Sequence, residues 1–112
     1  KPYSKTEYEK ALAEKKVTML YFTANWCPIC KEQEPVNMEA LKSLEEDKDI
    51  IAFRVHILDS ETTKETEALA EKYDISYQHT TVIIGPNGEV SYKYTGPLSK
   101  DDLKGKLLMS KE

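Results

Sequence analysis

Residues 17–35 read VTMLYFTANWCPICKEQEP, and the way they are parsed decides the rest of the chain. Val17 to Ala24 form an almost unbroken apolar and β-branched run, the pattern of a strand buried on both faces. Pro28 follows Cys27 directly. Proline suits the first position of a helix, because its missing N–H would have no intrahelical partner there. A helix is expected from Pro28 to about Asp47, with Met38, Leu41 and Leu44 on its inner face and Ala40 beside them. Strand, turn and helix in this order put the sulfur of Cys27 at a helix N-terminus, where free N–H groups and the positive end of the dipole stabilise an anion. Cys30 falls about one turn further along the same side.

Outward from this stretch the pattern continues to alternate. Ser4 is a helix N-cap with Glu7 three residues on, so residues 4–16 read as a first helix with Tyr8, Leu12 and Ala11 on its inner stripe. Asp49 to Asp59 is a second strand, and residues 62–75 are a helix with Leu69 and Tyr73 at an i,i+4 spacing. Residues 80–96, TTVIIGPNGEVSYKYTG, are the clearest hairpin: two β-rich runs flank Gly85-Pro86-Asn87-Gly88, which contains the Asn-Gly turn signal. Ser99 caps a last helix, with Asp102 as its box partner. The order α-β-α-β-α-β-β-α makes this an α/β chain, with a mostly parallel four-stranded sheet, an antiparallel C-terminal hairpin and helices on both faces.

The 112 residues suit one domain spanning the whole chain, large enough to bury a core without disulfide staples or a structural metal. A net charge of −4, spread along the chain, gives no basic stripe for nucleic acid or an anionic membrane. No apolar run approaches the roughly 18 residues a membrane span needs. The chain starts at Lys1 rather than methionine, which suggests that a signal peptide, an anchor or a tag has been removed.

Cys27 and Cys30 are the only cysteines, and their spacing serves a redox pair, half of a metal site or a structural staple. The staple is the weakest reading, since so short a loop removes little unfolded-state entropy. For disulfide exchange the placement fits. A thiolate is the nucleophile, a helix N-terminus lowers the pKa of Cys27, and Cys30 can resolve a mixed disulfide by attacking from behind.

Trp26-Cys27-Pro28-Ile29-Cys30 after an apolar strand, Pro35 five residues past Cys30, and residues 87–107 as a closing hairpin, glycine and helix together resemble the thioredoxin superfamily over most of the chain. Only that family's usual first strand is missing. The resemblance implies a thioredoxin fold and a thiol–disulfide oxidoreductase, with Cys27 as attacking thiolate and Cys30 as resolving thiol. It implies that Trp26 shields the pair and floors the substrate groove, and that Pro28 and Ile29 tune the potential. Ile29 neither donates a hydrogen bond nor carries charge, which leans toward a reductant. Residues 19–31 resemble exported or membrane-tethered thioredoxin-like reductases. With the missing methionine, this favours an extracytoplasmic bacterial location over a cytoplasmic one.

Two positions depart from the family. Tyr21 stands where thioredoxins bury a proton-relaying carboxylate; it reads as a core tyrosine with its hydroxyl satisfied locally. Water, Glu32 or Glu34 would then take the proton, although both glutamates read more simply as a solvated helix face. Thr80 stands where the family keeps a cis-proline. Because a cis bond before a non-proline residue costs about 3–4 kcal/mol, a trans peptide is expected between His79 and Thr80. Thr80 could hydrogen-bond the Cys27 thiolate. His79, beside it, could lower the pKa of Cys27 as a cation or complete a metal site as a neutral ligand, or it could be a plain loop histidine.

The partners expected are protein disulfides or dithiols and an upstream redox partner, acting on a monomer with no cofactor, no resident metal and no nucleic acid. Two other readings stay open. One is a metal- or iron–sulfur-binding protein using Cys27 and Cys30, with His79 and His56 as further ligands, although the histidines lie on different elements. The other is a redox-inert peptide-binding module, which would have no need of a resolving thiol.

Overall fold

Helices in this chain start at a side-chain acceptor for an otherwise orphaned N–H. Ser4 accepts from Glu7 N and opens α1 (Lys5–Ala13). At α2 (Pro28–Lys42) the acceptor is a sulfur, that of Cys27. Thr63 accepts from Thr66 N in a reciprocal capping box and opens α3 (Lys64–Lys72), and Ser99 accepts from Asp102 N and opens α4 (Lys100–Met109). Capping of this kind stabilises a helix start by about 1 kcal/mol.

The computed structural model describes residues 2–44 and 46–111. The expected end of α2 near Asp47 crosses position 45, and the expected domain's first and last residues are positions 1 and 112. These three positions lie outside the described residues.

Strands β1 (Val17–Thr23), β2 (Ile50–His56), β3 (Thr80–Ile84) and β4 (Val90–Thr95) form one sheet in the order β2-β1-β3-β4. The element order is the one read from the sequence, but the sheet is mixed rather than mostly parallel. Only β1 and β2 run parallel; β1–β3 and β3–β4 are antiparallel. The register explains why. His56 lies beside Thr23 and Thr80 beside Phe22, so the α3 connection leaves and returns at the same end of the sheet and β3 must run back. That end is where the chain departs toward Cys27, so the ends of β1 and β2 and the start of β3 all meet there.

Side-chain alternation along β1 divides the core in two. Val17, Met19 and Tyr21 face α2 and α4, where they join Cys27, Cys30, Ala40, Ile83, Leu103 and Leu107. Leu20 and Phe22 face α1 and α3, packing with Tyr8, Phe53, Val55, Leu69 and Val82. Every residue of β1 is buried, as its uninterrupted apolar run requires. The chain then turns at Gly85–Glu89, where Gly88 takes φ 82° and Gly85 N donates to Glu89 O. Pro2 makes a single parallel bridge to Arg54 on the free side of β2.

The inner face of α2 differs from the hydropathy reading. Met38 is 70% exposed, and the buried stripe is Cys30, Gln33, Asn37 and Ala40, with Leu41 and Leu44 partly buried. Gln33 tolerates burial because its amide is fully used. Its Nε2 donates to Leu98 O and Asn37 Oδ1, both at 2.9 Å, and its Oε1 accepts from Leu98 N at 3.1 Å.

Candidate active site

Cys27 and Cys30 are joined as a disulfide with their Cα atoms 5.3 Å apart. Both are buried, at 4% and 1% exposure. Cys27 takes extended backbone as the N-cap of α2, and its sulfur accepts the N–H of Cys30 at 3.2 Å. A sulfur that already receives a helix N–H is placed to carry negative charge when the bond opens. Pro28 and Ile29 stand outward between the two cysteines, and Trp26 beside them is 54% exposed.

The loop after β2 holds the approach to Cys27. Trp26 Nε1–H donates to Leu58 O at 2.8 Å, and Asn25 N–H donates to Asp59 Oδ2 at 2.7 Å. The Asp59 carboxylate also accepts from His56 Nδ1–H at 2.8 Å, Glu61 N–H at 2.9 Å and Thr62 Oγ1–H at 3.0 Å. Burial alone would raise its pKa. The donors from His56, Asn25, Thr62 and Glu61 outweigh that and hold it below the ordinary carboxylate value. His56, considered from the sequence only as a further metal ligand, is thus part of a clasp on the active-site turn. This clasp was missed, although an aspartate followed three residues on by threonine, just past a strand, is a recognisable loop-ordering signal.

The start of β3 lies on the other side. The His79–Thr80 peptide is trans, as expected. His79 sits at φ 63°, donates its N–H to Phe22 O at 2.7 Å and accepts Gly96 N–H at 2.9 Å. Its side chain is buried, and Nδ1 lies 2.7 Å from the Tyr21 hydroxyl. The Tyr21 hydroxyl is therefore satisfied locally, by a residue 58 positions away. Thr80 does not bond the Cys27 sulfur. Its hydroxyl donates to Tyr77 O at 2.8 Å and lies 2.9 Å from Thr95 Oγ1, because its position opposite Phe22 puts its side chain on the other face of the sheet. Burial raises the Tyr21 pKa, with Glu34 adding to the effect, and burial lowers that of His79. Both groups are accordingly neutral near pH 7.

Glu32 is exposed, and Glu34 pairs with Arg54 at 3.2 Å. The proposed Cys₂His₂ set is not assembled. Among the described residues, the group of His, Cys, Asp or Glu ligand atoms that comes together is His56, Asp59 and Glu61, and it includes neither cysteine nor His79. No helix among the described residues is long and apolar enough to cross a membrane.

A family model described as thioredoxin matches residues 1–109. Thioredoxin H4 from Arabidopsis thaliana is 28% identical over 102 residues, which is 91% of this chain and 77% of that protein. Among solved structures, Trxlp from Edwardsiella tarda superimposes with a TM-score of 0.77 at 24% identity, covering 95% of each chain. A mutant thioredoxin from Halobacterium salinarum gives 0.72 at 24% identity, covering 99% of this chain and 88% of that one.

Proposed function

The chain belongs to the thioredoxin family, and from that premise we propose that it is a thiol–disulfide oxidoreductase that reduces disulfides in protein substrates through Cys27 and Cys30. One observation carries the reading: the disulfide sits at the N-terminus of α2 with the Cys27 sulfur as the helix cap. In the reducing direction the Cys27 thiolate attacks a client disulfide, forming a Cys27–client bond and releasing one client sulfur as thiolate. Cys30 loses its proton and attacks the Cys27 sulfur. The Cys27–Cys30 bond forms, and the second client sulfur leaves with the electron pair. An external dithiol then restores the pair.

A protein client fits the surroundings. Trp26, Ile29, Leu58 and Tyr77 are large apolar side chains left exposed around this end of the sheet, a surface suited to an unfolded or extended chain. Pro28 and Ile29 form the rim between the sulfurs, and their lack of charge or side-chain donors supports the reducing direction. His79 and Thr80 act from below, Thr80 by fixing the turn through Tyr77 and Thr95.

The test is dithiothreitol-driven reduction of insulin, followed by turbidity. The wild-type chain is expected to accelerate it, and Cys27→Ser to abolish the acceleration. A wild-type chain that neither accelerates it nor shows a reversible dithiol–disulfide transition in glutathione buffers would overturn the reading.

A further inference from the structure

Among the described residues, two buried side-chain polar atoms lack a hydrogen-bond partner: His79 Nε2 and Thr81 Oγ1. An unpaired buried polar group is costly, so each calls for an explanation. They lie together. Thr81 is directly opposite Tyr21 in the β1–β3 register, so its side chain shares the sheet face of Tyr21, and the His79 imidazole reaches that face to bond the Tyr21 hydroxyl. That face is covered by α2, and its core contains Tyr21, Cys27 and Cys30.

The tautomer of His79 follows from its partner. Burial keeps Tyr21 protonated and His79 neutral, and a phenol is the stronger donor, so Tyr21 O–H donates to Nδ1. The neutral ring then carries its hydrogen on Nε2. The unpaired atom is therefore a donor, on a residue only 8% exposed and on the face that holds the disulfide. A disulfide sulfur is a poor acceptor. When the bond opens, its electron pair stays on one cysteine as thiolate, and a strong acceptor appears in a site that had none.

We propose that His79 donates its Nε2–H to the cysteine thiolate formed when the disulfide opens, and that Tyr21 is the positioning residue that fixes the required tautomer. The inference rests on the exchange reaction above and specifies how the potential of the pair is set. A donor that is satisfied only in the reduced state stabilises that state. It makes the pair more oxidising than the uncharged Pro28–Ile29 rim alone would leave it. The ionisable groups on this face are Tyr21 from β1, Cys27 at the N-cap of α2, Cys30 within α2, and Glu34, which acts on Tyr21 from α2 while paired to Arg54 of β2. Tyr21, Glu34 and Arg54 line a common cavity of about 110 Å³. None of these groups accepts from Nε2 in the disulfide state.

The test compares three variants with the wild type by equilibration in glutathione buffers, reading Trp26 fluorescence. His79→Asn keeps a group near Nδ1 and tolerates positive φ, but it has nothing at Nε2. Its equilibrium is expected to shift about tenfold toward disulfide, which is about 30 mV for a two-electron couple. His79→Gln, whose amide N–H reaches the Nε2 position, is expected to restore most of that shift. Tyr21→Phe is expected to move the equilibrium the same way by about threefold, with nitrogen NMR of His79 showing the Nε2–H tautomer weakened. The proposal is overturned if Asn and Gln behave alike, or if wild-type His79 carries its hydrogen on Nδ1. A wild-type pair with no reversible transition would instead remove the exchange reading beneath it.

Discussion

Two buried polar centres flank the active-site turn, and they are built on opposite plans. On the β2 side, the Asp59 carboxylate is saturated by donors from His56, Asn25, Glu61 and Thr62. On the β3 side, His79 uses one ring nitrogen on Tyr21 and leaves the other, like the Thr81 hydroxyl, without a partner. A saturated centre has nothing left to offer a reaction; it holds geometry. An unsaturated one keeps a polar group in reserve for a state of the molecule in which a partner exists. The difference separates scaffold from chemistry across a turn of a few residues.

Asp59→Ala should break the scaffold side most visibly. It strands several donors, Asn25 N–H among them, and is expected to lower unfolding stability by about 2–3 kcal/mol, read from the urea midpoint. Its glutathione equilibrium should move less than that of His79→Asn. If Asp59→Ala shifts the potential as far and leaves stability intact, the division of labour is wrong.

The reactive side sharpens with pH. Burial lowers the His79 pKa, so below the ordinary histidine value of about 6.5 the unfolded chain binds a proton that the folded chain does not. Stability is therefore full above that value and declines as pH falls toward the folded pKa. His79→Asn should show a flatter decline between about pH 7 and pH 5, a window set by the same histidine value. Equal slopes in the two proteins would contradict the assignment.

The smallest effect belongs to Trp26→Phe, which loses only the bond to Leu58 O at a half-exposed position. About 0.5–1 kcal/mol is expected, as a modest drop in thermal midpoint. A loss as large as that of Asp59→Ala would mean that the ring, not the carboxylate, clasps the turn.

Much of this was legible in the chain because the signals are local. A doubly buried strand, a proline at a helix start, serine and threonine caps and an Asn-Gly turn each declare themselves within a few residues. The antiparallel β1–β3 pairing does not, since it depends on a connection that returns to the end of the sheet it left. For the same reason the Tyr21–His79 bond was invisible, although each residue was noticed separately: their contact is set by register between distant segments. Met38 was placed inside and Gln33 overlooked because hydropathy ranks side chains alone. What offsets the burial of Gln33 is the backbone of Leu98, 65 residues further on.

That same amide has a mechanical consequence. Gln33 lies one turn past Cys30 and grips both the N–H and the carbonyl of Leu98, just before α4. The helix bearing the cysteines is thereby riveted to its neighbour close to the reacting sulfurs, through groups that do not change with redox state. When the disulfide opens, the sulfurs can swing about their own side-chain bonds while the helix stays in register. In the proposed exchange reaction, each cycle then begins and ends on the same frame.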